Sequence, residues 1–302
     1  MICIDKIDAH AHAYVTDFPD KKLVNMLEPN RLKEIYSLIG VSRALLLPLT
    51  SPERRSFFCP TEHVMEIAGN DPRFFSFSMA LDPRMLHKGE KSDFSPLIEY
   101  YMQKGAVGVG EMQANIPFDS PLFDNLFRQI ESYRLPVTLH LSPEVGYDYG
   151  VVDAPGLPGL ERALKKFPDL IFIGHSQSFW AHISQNVNSE MMKSYPSGPV
   201  APGRVWELME AYPNLYADLS AGSGYNALTR DEEKGIAFLE RFSEKLMFGC
   251  DLCDQSQIPP LSSWVDRQYL RGNLSEKAYL NVCRGTFLKV FGGVKEKSEI
   301  QQ

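Results

Sequence analysis

Seven histidines are spread over the 302 residues, and four of them stand where an imidazole can do chemistry. His10 and His12 close the run Ile7-Asp8-Ala9-His10-Ala11-His12. If that run is a strand, alternate side chains share a face, so His10 and His12 point inward together while Ala9 and Ala11 point outward. Two imidazoles on one face chelate a metal ion, although a His-x-His pair taken alone is also common among ordinary polar residues. Three further runs end in the same manner: Val137-Thr138-Leu139-His140, Phe172-Ile173-Gly174-His175 and Met247-Phe248-Gly249-Cys250-Asp251. Histidine nitrogens joined by a carboxylate suit a borderline divalent ion, zinc first, with manganese, iron, nickel and cobalt as further choices. A fifth run adds Glu111, which alternation places in phase with Val107 and Val109. Glu111 is then either a ligand that bridges two ions or an acceptor that orients a ligating histidine.

Residues at run ends meet only if the runs lie side by side. Short apolar runs recur at roughly 30 to 45 residues, with amphipathic segments between them, as βα units do. The runs are Ile7–His12, Val41–Leu47, Phe74–Leu81, Ala106–Glu111, Val137–His140, Leu170–His175, Leu215–Ser220 and Leu246–Asp251. Predicted helices cover Lys22–Ile39, Glu62–Gly69, Ser95–Lys104, Leu122–Tyr133, Gly159–Phe167, Arg204–Tyr212, Glu232–Phe242 and Ser275–Phe291. Eight such units make a (β/α)8 TIM barrel, whose active site collects at the C-terminal ends of the strands. The pattern predicts one barrel domain over 1–294 and a polar tail over 295–302. Three long loops follow strands, Ser142–Pro158, Ser176–Pro202 and Leu252–Ser262, and a barrel gathers them on the face that carries the histidines. They bring Trp180 and His182 toward a pocket as candidate substrate contacts. Tyr225, in a glycine-rich segment read as a flexible loop, and Arg54, after the second strand, are the other two. Asp218 and Ser220 share an inward phase on the seventh strand and either orient a ligand or a metal-bound histidine, or form a structural polar layer.

Composition narrows the classes. The balance of 31 Lys+Arg against 38 Asp+Glu gives a formal charge of −7, and no basic block is present to collect phosphates, so nucleic acid is a poor partner. Five cysteines without regular spacing fit a reducing compartment. Cys250 and Cys253 have the spacing of a redox or zinc pair, but no second pair accompanies them, and alternation turns Cys250 away from the face of Asp251. No stretch approaches the ~18 apolar residues of a membrane span, and the expectation is a cytoplasmic enzyme for a small molecule, with a homodimer left open.

The order His-x-His on strand one, His on strands five and six and Asp on strand eight resembles the amidohydrolase superfamily. Within it, Ile7–His12, Leu139-His140, Ile173-Gly174-His175-Ser176 and Phe248-Gly249-Cys250-Asp251 look most like the aminocarboxymuconate-semialdehyde-decarboxylase-like branch. The resemblance implies that His10, His12, His140 and Asp251 hold a metal. It makes His175 a second-metal ligand in a binuclear centre, or a free acid/base and polarising group in a mononuclear one. Glu111 is similar to the bridging glutamate of TatD-type deoxyribonucleases, a likeness that the acidic charge balance disfavours. The implied cofactor is one or two divalent ions, Zn2+ before Mn2+. The implied activity is hydrolysis of a small organic substrate by a metal-activated water, with Asp251 moving the proton. Decarboxylation of a small unsaturated or aromatic acid uses the same residues.

Overall fold

The computed structural model describes residues 4–14, 27–53, 58–253 and 256–299. Among them, eight strands run in parallel in chain order: β1 (Lys6–Ala11), β2 (Val41–Leu46), β3 (Phe75–Met79), β4 (Ala106–Met112), β5 (Val137–Ser142), β6 (Phe172–His175), β7 (Leu215–Asp218) and β8 (Leu246–Met247). The ring closes where Ala9 N–H donates to Phe248 O at 2.9 Å and Asp251 N–H to His10 O at 2.8 Å. Helices follow the strands on the outside, as a (β/α)8 barrel requires: α1 (Pro29–Ile39), α2 (Thr61–Asn70), α3 (Ser95–Gln103), α4 (Pro121–Tyr133), α5 (Pro158–Lys166), α6 (Gln177–Ala181), α7 (Arg204–Ala211), α8 (Ala221–Thr229), α9 (Glu232–Phe242), α10 (Pro260–Leu270), α11 (Glu276–Leu280) and α12 (Thr286–Glu299). Their ends follow local chemistry. Pro121 begins α4 behind Ser120, whose hydroxyl accepts from Leu122 N–H, and Gly40 ends α1 in the left-handed region at φ 75°. No helix among the described residues is long and apolar enough to cross a membrane.

Two apolar clusters divide the core. The larger lies between strands and helices. The smaller fills the barrel with Ile7, Ala9, Leu45, Leu47, Val107, Ile173, Tyr216 and Met247, and α12 closes it with Phe287, Val290 and Phe291. One step further along the strands the inward positions become polar and remain buried: His10, Glu111, His140, His175 and Asp218. The barrel thus has an apolar floor and an ionisable upper layer.

Several expectations need correction. Ala9 belongs to the interior cluster and not the outer one, because the β1 register shifts between Asp8 and Ala11. Shifts between Ala106 and Val109 and between Val109 and Met112 likewise separate Val109, which faces the helices, from Val107 and Glu111. The long loops carry structure of their own: a two-residue strand Val151–Val152 beside β5, helix α6, and the start of α10 at Pro260. The helix expected over Ser275–Phe291 is α11, one π-helical stretch Asn281–Gly285, and α12, which continues through part of the predicted tail to Glu299. The Lys22–Met26 start of the first predicted helix lies outside the described residues.

The segment Ser220–Tyr225, read as a flexible loop, is mostly the first turn of α8. Its glycines serve close approach. A Cβ at Gly224 would stand 2.3 Å from Leu219 O, so the helix packs against the end of β7 only without a side chain there. Gly224→Ala is therefore expected to cost about 1–3 kcal/mol and lower the thermal midpoint by roughly 2–8 °C. Gly69→Ala in α2, where a Cβ meets nothing within 4 Å, should be neutral or raise stability by up to about 1 kcal/mol. Calorimetry of the two variants side by side checks the contrast.

Candidate metal centre

The centre is assembled from strand ends, and each imidazole is aimed by an acceptor on its far side. His12 Nδ1 lies 2.9 Å from Leu47 O. A carbonyl only accepts, so Nδ1 carries the hydrogen and Nε2 is left to face the centre. His10 Nδ1 lies 3.1 Å from Asp218 Oδ2, and His175 Nδ1 lies 3.0 Å from Asp218 Oδ1. One carboxylate on β7 therefore sets the tautomer of two imidazoles, from β1 and β6. Ser220 supports it from the side: its hydroxyl donates to Asp218 Oδ1 and lies 3.0 Å from His175 Nδ1.

The three Nε2 atoms converge on two carboxylates. His10 Nε2 is 3.7 Å from Glu111 Oε2 and 3.8 Å from Asp251 Oδ1. His12 Nε2 is 3.8 Å and 3.2 Å from the same oxygens. His175 Nε2 is 3.9 Å from Glu111 Oε1 and 3.7 Å from Asp251 Oδ2. Metal–ligand bonds of about 2.0–2.1 Å in a tetrahedral shell place neighbouring donors about 3.4 Å apart, and these spacings lie near that value. His10 Nε2 is moreover fully buried with no hydrogen-bond partner, a costly state unless something else satisfies it. The residues fit a divalent ion.

Electrostatics agree. Burial works against ionisation of Asp251 and Glu111, but the surrounding imidazoles outweigh it and hold both carboxyls below their usual range. His10 is pushed up: burial lowers it, and the charges of Asp218 and Asp251 more than reverse that. Asp218 is held ionised against its burial by His175 and His10. Of the two carboxylates that face the imidazole Nε2 atoms, Asp251 is the more open, with its side chain 19% exposed against 2% for Glu111.

His140 sits differently. Its Nδ1 lies 2.5 Å from Glu111 Oε1, and it forms a donor group with Glu111 and His175. Gln113 Nε2 donates to Glu111 Oε2 at 3.0 Å, so Glu111 is gripped from both sides. All six residues expected at a metal, His10, His12, Glu111, His140, His175 and Asp251, are thus brought together. Of the substrate candidates, Trp180, His182 and Tyr225 are engaged elsewhere. Trp180 is buried, with Nε1–H donating to Asp218 O at 3.1 Å, and it holds up the centre from behind. His182 has both nitrogens occupied by backbone: Nδ1 lies 2.8 Å from Ser178 O, and Nε2 accepts from Gly156 N–H at 3.0 Å. It joins two loops. Tyr225 packs against the apolar core, and Arg54 lies outside the described residues.

Sequence reasoning missed the clamp of His12 on Leu47, and its assignment of Asp218 stayed open between two roles. Inward phase on β7 is the only signal the sequence offers for Asp218, because its partners come from strands far along the chain. Asp218→Asn removes one acceptor and presents an N–H2 to imidazoles that need oxygen. Zinc affinity, read by chelator competition, should fall about 10- to 100-fold with the fold retained. An affinity within about twofold of the parent would remove Asp218 from the positioning role.

No curated protein matches the sequence. Among solved structures, an uncharacterized TIM-barrel protein from Bordetella bronchiseptica is similar at TM-score 0.68 and 13% identity, with 97% of this chain and all of that one covered. An amidohydrolase from Burkholderia multivorans, crystallised with HEPES, gives TM-score 0.63 and 11% identity over 95% and 99% of the two chains. The 5-carboxyvanillate decarboxylase of Sphingomonas paucimobilis gives TM-score 0.60 and 16% identity over 96% and 99%. These likenesses are of fold. The amidohydrolase family model matches residues 7–292, and the chain belongs to the amidohydrolase family.

Proposed function

We propose that the chain is a metal-dependent hydrolase for a small, uncharged organic substrate with a carbonyl, lactone or amide centre. The observation that carries this reading is the convergence of three Nε2 atoms, each aimed by an acceptor behind it, on two carboxylates held ionised. Histidine and carboxylate donors suit zinc, with manganese as the second choice, and a Burkholderia multivorans amidohydrolase of similar fold was crystallised with bound zinc. A divalent cation in this position supplies Lewis-acid polarisation and lowers the pKa of water toward neutrality.

The protein's own groups divide the remaining work. Asp251, partly open and ionised, accepts a proton and returns it to the leaving group. His175, locked through Nδ1 by Asp218 and Ser220, keeps Nε2 turned to the centre, where it takes up a proton and passes it on to the substrate. Glu111, held by Gln113 and His140, stays fixed as a ligand or bridge. The carboxylates Glu111, Asp218 and Asp251 crowd one buried volume, which disfavours a substrate that brings another negative charge. Decarboxylation is the second reading. It is favoured by the likeness in fold to 5-carboxyvanillate decarboxylase and uses His175 as the proton donor to carbon.

Chelator-treated protein is expected to lose activity and regain it with Zn2+ or Mn2+. On a panel of neutral lactones, esters and amides, proton release should accompany turnover, and Asp251→Asn should lower kcat by about 10²–10⁴-fold in protein reloaded with saturating Zn2+. Release of CO2 from aromatic acids without hydrolysis of the panel would establish the second reading instead. Protein that carries no divalent ion and takes none up would defeat both.

A further inference from the structure

The Cys250-x-x-Cys253 pair separates in the fold. Cys250 is buried, and its backbone N–H donates to Asp8 Oδ1 at 3.0 Å on the side of β1 away from the centre. Cys253 is half-buried and brings Sγ to 3.5 Å from Asp251 Oδ1, the same oxygen that lies 3.2 Å from His12 Nε2. Sulfur, oxygen and nitrogen all lie within 4.8 Å of one another. Bonds of about 2.3 Å to sulfur and about 2.0 Å to oxygen and nitrogen give tetrahedral S···O and N···O edges of about 3.5 Å and 3.3 Å, close to both observed spacings. His10 Nε2, buried and without a partner, points at the same Asp251 oxygen from 3.8 Å, which marks this side of Asp251 as a place for a ligand.

We infer that Cys253 is a sulfur donor to the cation held by His12 and Asp251, so that the centre combines nitrogen, oxygen and sulfur and selects a thiophilic ion. This rests on the metal-centre reading above. On coordination the S–H bond breaks, the proton leaves to solvent, and a sulfur lone pair forms the bond to the ion, with no change in oxidation state. A soft thiolate favours Zn2+, Co2+ and Cd2+ over Mn2+ and Mg2+. The competing account of the 3.5 Å approach is an S–H···O hydrogen bond to Asp251, which makes no such selection.

Cobalt separates the two. The full chain, stripped with chelator and titrated anaerobically with Co2+, should show ligand-field bands and, with them, a sulfur-to-cobalt charge-transfer band in the near ultraviolet that Cys253→Ser lacks. The same substitution should weaken Zn2+ binding by about 10-fold or more and change Mn2+ binding by less than about twofold. In the unaltered protein, Zn2+ but not Mn2+ should shield Cys253 from iodoacetamide in peptide mapping, a readout that needs no variant. Ligand-field bands without charge transfer, or charge transfer that survives Cys253→Ser, would overturn the sulfur donor and leave the metal centre standing. Failure to bind Co2+ at all would overturn both.

Discussion

The carboxylate of Asp218 holds two imidazoles at once, and the rest of the centre is arranged around that fact. It is wholly buried, where an unpaired charge costs several kcal/mol, so the fold must surround it with donors. His10 and His175 supply two N–H groups, the Ser220 backbone N–H a third at 3.1 Å, and the Ser220 hydroxyl a fourth. Those donors come from β1, β6 and the turn after β7, so satisfying one carboxylate fixes three strand ends relative to one another. The two imidazoles are then committed to presenting Nε2, and because Trp180 also donates to the Asp218 carbonyl, α6 is tied to the same point.

This arrangement works only because the barrel below it is dry. Ile7, Leu45, Val107, Ile173, Tyr216 and Met247 fill the interior, with Phe287 and Phe291 of α12 as its floor, and they keep water from reaching the ionisable layer from beneath. In such surroundings each charge–charge interaction is stronger than in water, and a polar network is stable only when all its members are satisfied. The buried Nε2 of His10, like Gln113 Oε1 beside Glu111, is a position at which that condition is not met by protein atoms alone.

Strand ends are the part of such a protein that a sequence displays openly. His10, His12, Glu111, His140, His175 and Asp251 each terminate an apolar run, and the barrel brings these ends together whatever its loops do. Alternation failed at Ala9 and Val109 because register shifts interrupt β1 and β4, and a shift of one residue exchanges the faces. The glycines of Ser220–Tyr225 suggested mobility where the structure uses them for contact, since the backbone that Gly224 approaches is set by tertiary packing. Trp180 and His182 follow the strand that ends at His175, in a segment the sequence shows as a long loop, which suggested pocket lining. Their hydrogen bonds go to Asp218 O, Ser178 O and Gly156 N–H, partners that no spacing rule identifies.

The charge of the cluster bears on the substrate more directly than the identity of any ligand does. Glu111, Asp218 and Asp251 contribute three negative charges, and one divalent cation leaves the sum at −1. A thiolate from Cys253 would lower it further. On the hydrolase reading this is a workable state, because a neutral carbonyl compound enters without repulsion. For an aromatic acid the same state is adverse, because its carboxylate would approach a net negative centre. A second divalent ion shared through Glu111 would change the sum by +2 and reverse that preference. The number of ions and the charge of the preferred substrate are therefore one physical question, and Glu111, placed between His10 and His12 on one side and His140 and His175 on the other, is the residue on which both depend.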